Sequence, residues 1–116
     1  MYVAGMDPHR VLQVGIDPSV VDFSPWPGQD ADDLRSRINA AEAALMDEGL
    51  IVTSCLVPDD ADAAERVVRD ALEKQPFDVI EIGSGLRTSH DYTPVFERVI
   101  NTIIAIQPGV PLCFNV

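Results

Sequence analysis

The chain has 116 residues, 47% hydrophobic and 23% charged, enough for a single α/β-sized core and too few for two. Its formal net charge of −11, with eight scattered Lys and Arg residues, argues against a nucleic-acid backbone or an anionic membrane as partner. There is no apolar run of the roughly 20 residues needed to span a bilayer and no signal-peptide pattern, which makes the cytoplasm the expected compartment.

Residues 1–9 show no periodicity and read as an irregular lead-in. Arg10 to Ile16 is a short apolar run ending at Asp17-Pro18, a first strand with Asp17 at its carboxyl end. Ser19 to Gln29 carries Phe23, Trp26, Pro25, Pro27 and Gly28 and is too rich in proline to be helical. It predicts a long loop whose aromatics cover a ligand or pack on the surface. From Asp30 to Glu48, apolar residues recur at Leu34, Ile38, Ala41 and Leu45, with acidic residues in the first turn and Gly49 beyond the end. That is a helix.

Leu50 to Val57 is the second strand. Asp59 or Asp60 caps a second helix running to about Gln75, with Ala64, Val67, Val68, Ala71 and Leu72 inward and Pro76 as its stop. Phe77 to Ile82 is the third strand, followed by a glycine-hinged loop, Gly83 to His90. Thr93 as N-cap and Pro94 in the first turn open a helix to about Gln107, with Phe96, Val99, Ile100, Ile103 and Ile104 inward. Pro111 to Val116 closes the sheet as a fourth strand. Alternating strands and helices without tight hairpins predict parallel strands joined by helical crossovers in a three-layer α/β sandwich.

The expected strand order is 2-1-3-4, which resembles the first part of a flavodoxin-like or Rossmann-like sheet. A ligand crevice would then open between strands 1 and 3, with Asp17 and the aromatic loop on one side and Gly83 to His90 on the other. Cys55 and Cys113 would lie on opposite edges, roughly 14 Å apart and beyond disulfide reach. A bond between them would overturn this order.

The ligand-binding candidates are Ser84, Gly85, Arg87 and Thr88, with Asn115 approaching from the fourth strand. Arg87 can clamp a carboxylate or phosphate, and the glycines admit positive φ and close backbone approach. The catalytic candidates are His90, which titrates near neutrality, and Asp17, as a base or as a partner of Arg87 across the crevice. Competing roles are plain turns at Gly83 and Gly85, a surface ion pair for Arg87 and an Asp-Pro turn for Asp17. Glu81 stands in a central apolar strand and needs a partner, Arg98 or Arg10, unless it lines a pocket. Neither the two histidines and two cysteines nor Asp59, Asp60 and Asp62 form a metal-ligand pattern, and no cofactor is implied.

The segments VGIDPSVVDF (14–23), IGSGLRT (82–88), FERVIN (96–101) and CFN (113–115) resemble a family of small uncharacterised bacterial α/β proteins. The resemblance implies a doubly wound domain and no particular activity, and Glu81 departs from the more apolar strand it implies. At fold level the chain is also similar to a response-regulator receiver. It lacks that family's phosphate-accepting aspartate after the third strand, where Gly83-Ser84 stands, and the acidic pair after the first. The expected function is a binding or interaction module for a small anionic or polar ligand, acting as a homodimer through its exposed sheet edges. The alternative is a small hydrolase or transferase using Asp17 or His90 as base and Arg87 to stabilise an anion.

Overall fold

The computed structural model describes residues 9–115. Four parallel strands, β1 (Arg10–Ile16), β2 (Ile51–Val57), β3 (Val79–Ile82) and β4 (Leu112–Phe114), form one sheet in the order β2-β1-β3-β4. Helix α1 (Ala31–Asp47) joins β1 to β2, α2 (Ala61–Lys74) joins β2 to β3, and α4 (Thr93–Ile106) leads to β4. The short α3 (Ser84–Arg87) and a 3₁₀ turn (His90–Tyr92) lie between β3 and α4. This is the flavodoxin-like α/β architecture that the alternation predicted. Cys55 and Cys113 sit on the opposite edge strands β2 and β4 as free thiols, as the order requires.

Local chemistry sets the helix limits. Asp30 accepts from the Asp33 N–H while the Asp33 carboxylate accepts from the Asp30 N–H, a reciprocal cap on α1. Gly49 ends that helix at φ 86°, a conformation costly for any residue with a Cβ. Asp60 caps α2 through the Ala63 N–H.

Strand register sorts the side chains into two unlike faces, because successive residues point to opposite sides. On one face Leu12, Val14, Ile16, Cys55, Val57, Ile80 and Ile82 are buried with Ala64, Val68 and Leu72 of α2 and Val95, Val99 and Ile103 of α4. Across that layer Arg98 of α4 pairs with Asp62 at 2.8 Å and Glu65 at 3.0 Å on α2. The other face presents Gln13, Gly15, Ser54, Leu56, Glu81 and Cys113. Among the described helices α1 is the one that rests on it, against β2 and the turn after β1. The inward stripe Leu34, Ile38, Ala41 and Leu45 is half-buried, and no residue of α1 is fully buried.

Several expectations are corrected. Phe77 lies outside β3, anchored by the Gln107 amide, which accepts from its N–H and donates to its carbonyl. Val67 and Ile104 face outward; Thr102 takes a buried place on α4, its hydroxyl donating to the Arg98 carbonyl. Thr93 is the first residue inside α4, not its cap, which is Tyr92. Glu81 pairs with neither Arg98, engaged by α2, nor Arg10, which donates to Gln75.

The segment expected as a glycine-hinged loop is helical in two short pieces, and neither Gly83 nor Gly85 uses positive φ. Proximity explains both glycines. A Cβ on Gly85 would stand 3.0 Å from Ile16 Cγ2, and one on Gly83 would stand 3.3 Å from the Val14 carbonyl oxygen. The missing side chains let α3 press against the end of β1. Of the irregular lead-in at 1–9, residues 1–8 lie outside the described residues, as does Val116 of the expected fourth strand.

Candidate functional site

Two adjoining clefts open at the carboxyl ends of β1 and β3, where the strand order reverses direction. They share Ile16, Leu34, Arg37, Ser84 and Gly85. The inner cleft, of about 210 Å³, runs beneath α1 over Gly15, with Ile38 and Leu56 as apolar walls and Gln13, Glu81 and Asn115 as polar lining. The outer cleft, of about 250 Å³, is walled by Phe23, Trp26 and Tyr92, with Gln29, Thr88 and Ser89 on its rim. The aromatic loop that the sequence placed beside the crevice therefore borders it. Its backbone closes on itself through Trp26 N–H to the Phe23 carbonyl at 2.9 Å, and the Asp22 carboxylate accepts from the Ser24 N–H at 2.9 Å. Burial and the nearby Asp59 carboxylate push the Tyr92 phenol above its usual range.

The sequence-derived candidates take different places. Ser84 and Gly85 line both clefts, Thr88 the outer one and Asn115 the inner one. Asn115 Oδ1 accepts from the Ser84 N–H at 2.6 Å, joining β4 to the start of α3. Arg87 is in neither lining. Its guanidinium donates to the Asn115 carbonyl and lies over the Phe114 ring, 5.4 Å from the centroid, and so clips α3 to the edge strand. The His90 side chain is 98% exposed, with Nε2 3.7 Å from the Asp91 carboxylate.

Asp17 sits at the end of β1, where its N–H donates to the Val57 carbonyl at 2.8 Å. Its Oδ1 accepts from the Ser19 N–H and hydroxyl, both at 2.9 Å, and its cation is Arg35 at 4.0 Å, not Arg87. The Ser19 bonds, aided by Arg35, hold its carboxyl below the usual aspartate range. A carboxylate so committed is a weak base. Among the described residues no group of three or more His, Cys, Asp or Glu side chains gathers to hold a metal.

Two site residues, Arg37 and Gln13, were missed by sequence reasoning, whereas Glu81 takes the pocket-lining place held open for it. Arg37 lines both clefts, its Nη2 donating to Gln29 Oε1 at 3.1 Å. Its signal was positional: it stands three residues after Leu34 and four before Ala41, which puts an exposed cation along the edge of the inward stripe of α1. Gln13 and Glu81 are register partners on β1 and β3, and Gln13 Nε2 donates to Glu81 Oε1 at 3.0 Å. Gln13 was hidden in a run read as apolar throughout. Comparison with family models, curated proteins and solved structures returns no match for this chain.

Proposed function

We propose that the protein is a small binding module that holds a small anionic or polar molecule in the paired clefts beneath α1. Arg37 carries this reading. It is a guanidinium shared by both clefts, bonded to a neutral amide, and among the described residues no carboxylate lies within ion-pair distance of it. An incoming carboxylate or phosphate finds there a bidentate donor that is not already neutralised, with hydroxyls of Ser84, Thr88 and Ser89 near the same walls. The hydrolase or transferase reading loses support, because Asp17 is engaged by Ser19 and His90 stands in solvent.

Thermal-shift measurements with phosphate, nucleotides and small carboxylic acids test the binding reading on the parent, Arg37→Met and Arg87→Ala. A ligand at a hundred times its Kd adds about 2.7 kcal/mol, a rise of several degrees in Tm. That rise is expected in the parent, retained in Arg87→Ala and abolished in Arg37→Met. No shift with any class, or a shift that survives Arg37→Met, refutes it.

Self-association through the β4 edge accompanies this reading. Phe114 is 47% exposed on an edge strand whose outer backbone groups can pair with a second copy. Sedimentation at micromolar concentration should give a dimer that Phe114→Glu reduces to a monomer; a monomeric parent rules this out.

A further inference from the structure

The inner cleft is lined by opposite charges. Arg37 and Glu81 both line it, yet among the described residues no ion pair joins them. Beside Glu81 stands Gln13, only 7% exposed. Its Nε2 is spent on the Glu81 carboxylate, which fixes the orientation of the amide, because the reverse orientation would set two oxygens against each other. Gln13 Oε1 is then a buried acceptor without a partner, a condition that proteins seldom leave unrelieved.

A cleft-lining carboxylate backed by a buried amide oxygen is complementary to a group that only donates and carries positive charge, which describes an ammonium. The Arg37 guanidinium is complementary to a carboxylate. The floor of the cleft is Gly15, with no side chain to fill the space, and the walls at Leu34, Ile38 and Leu56 suit methylene groups. The volume of about 210 Å³ is below the range typical of drug-sized ligands and suits a metabolite of amino-acid size.

The geometry points to a free amino acid as the ligand of the inner cleft, its ammonium held by Glu81, which Gln13 orients, and its carboxylate by Arg37. This rests on the anion-binding role of Arg37 proposed above and adds the second charge and its receptor.

Titration calorimetry on the full chain tests it with the proteinogenic L-amino acids and the linear series from glycine to 6-aminohexanoate. Butyrate and butylamine serve as one-ended controls for 4-aminobutyrate. At least one amino acid should bind roughly tenfold or more tighter than either control, since each charge-assisted contact contributes about that factor. Glu81→Gln should weaken that amino acid by about tenfold while leaving butyrate unchanged, Glu81→Asp should restore part of the loss, and Arg37→Met should weaken both. Circular dichroism on each variant separates lost binding from lost fold. If butyrate binds as tightly as any amino acid and depends on Arg37, the anion site stands and the amino-acid assignment falls. If nothing in the panel binds, the amino-acid assignment falls, and a phosphate or nucleotide shift that Arg37→Met abolishes would still keep the anion site. Indifference to Glu81→Gln in a protein that does bind amino acids overturns the assignment of the ammonium end.

Discussion

The face of the sheet under α2 and α4 and the face under α1 are built from the same four strands, yet they divide the labour of the molecule. Beneath α2 and α4, Leu12, Val14 and Ile16 of β1 and Ile80 and Ile82 of β3 are buried aliphatic residues, and the helices contribute buried residues of their own. Beneath α1 the strands offer Gln13, Gly15, Ser54, Glu81 and Cys113 beside the apolar Val11 and Leu56, and the helix buries none of its own residues completely. The first face removes apolar area from water and supplies most of the stability. The second leaves space, charge and an unpaired acceptor, which a core could not tolerate and a binding cleft can use.

Thiol chemistry should break this comparison most sharply if it is wrong. Cys55 faces the packed layer, and burial pushes its pKa up to about 11; Cys113 is exposed on β4. At pH 8 a disulfide reagent should modify Cys113 in the native protein at a rate at least about a thousandfold above Cys55, which must wait for the fold to open. Comparable rates would mean that the α2/α4 layer is not closed. Burial and the nearby Glu81 raise the Cys113 pKa as well, so its reaction should be slower than that of free cysteine, and Glu81→Gln should speed it.

Truncating one isoleucine on each side comes next. Ile103 of α4 is completely buried, and Ile103→Ala should cost about 2–5 kcal/mol in urea unfolding. Ile38 of α1 is half-buried at the cleft wall, and Ile38→Ala should cost about 1 kcal/mol. Equal losses would show that α1 is as firmly seated as α4.

Acid dependence is the smallest effect. The Asp17 carboxyl is held below its ordinary value by Ser19 and Arg35, so its contribution is complete above the unfolded aspartate pKa and is lost as pH falls through the lower folded value. Because Asp17 is solvent-accessible, the decline should be shallow. Asp17→Asn retains a side-chain cap but has no charge to lose, so urea midpoints should fall less steeply with acid below the ordinary aspartate range than in the parent. Identical acid slopes would remove Asp17 from the account.

Much of the architecture was legible in the chain because it rests on periodicity and local chemistry. The stripe from Leu34 to Leu45, the cap at Asp60, Gly49 and the Pro94 helix start each act within a few residues. The crevice could be located for the same reason, since parallel order fixes where strand ends converge. Which arginine faces it could not be. Arg87 follows a glycine-rich turn and looks like an anion clamp, but α3 aims it at Asn115 and Phe114 on β4. Arg37 looks like one surface cation among eight, but the seating of α1 beside the cleft puts it in the lining.

Glu81 makes the same point from the strand side: its charge looked misplaced until the register set it opposite Gln13 on a face only partly covered. The sequence by itself determined the alternation of strands and helices, their caps and stops, and the parallel sheet, because those follow from contacts between near neighbours along the chain. Only the tertiary structure decided which face stayed open, why Gly83 and Gly85 are glycines, and which charged groups share a cleft. Those outcomes depend on distances between residues dozens of positions apart, set by how helices seat on the sheet.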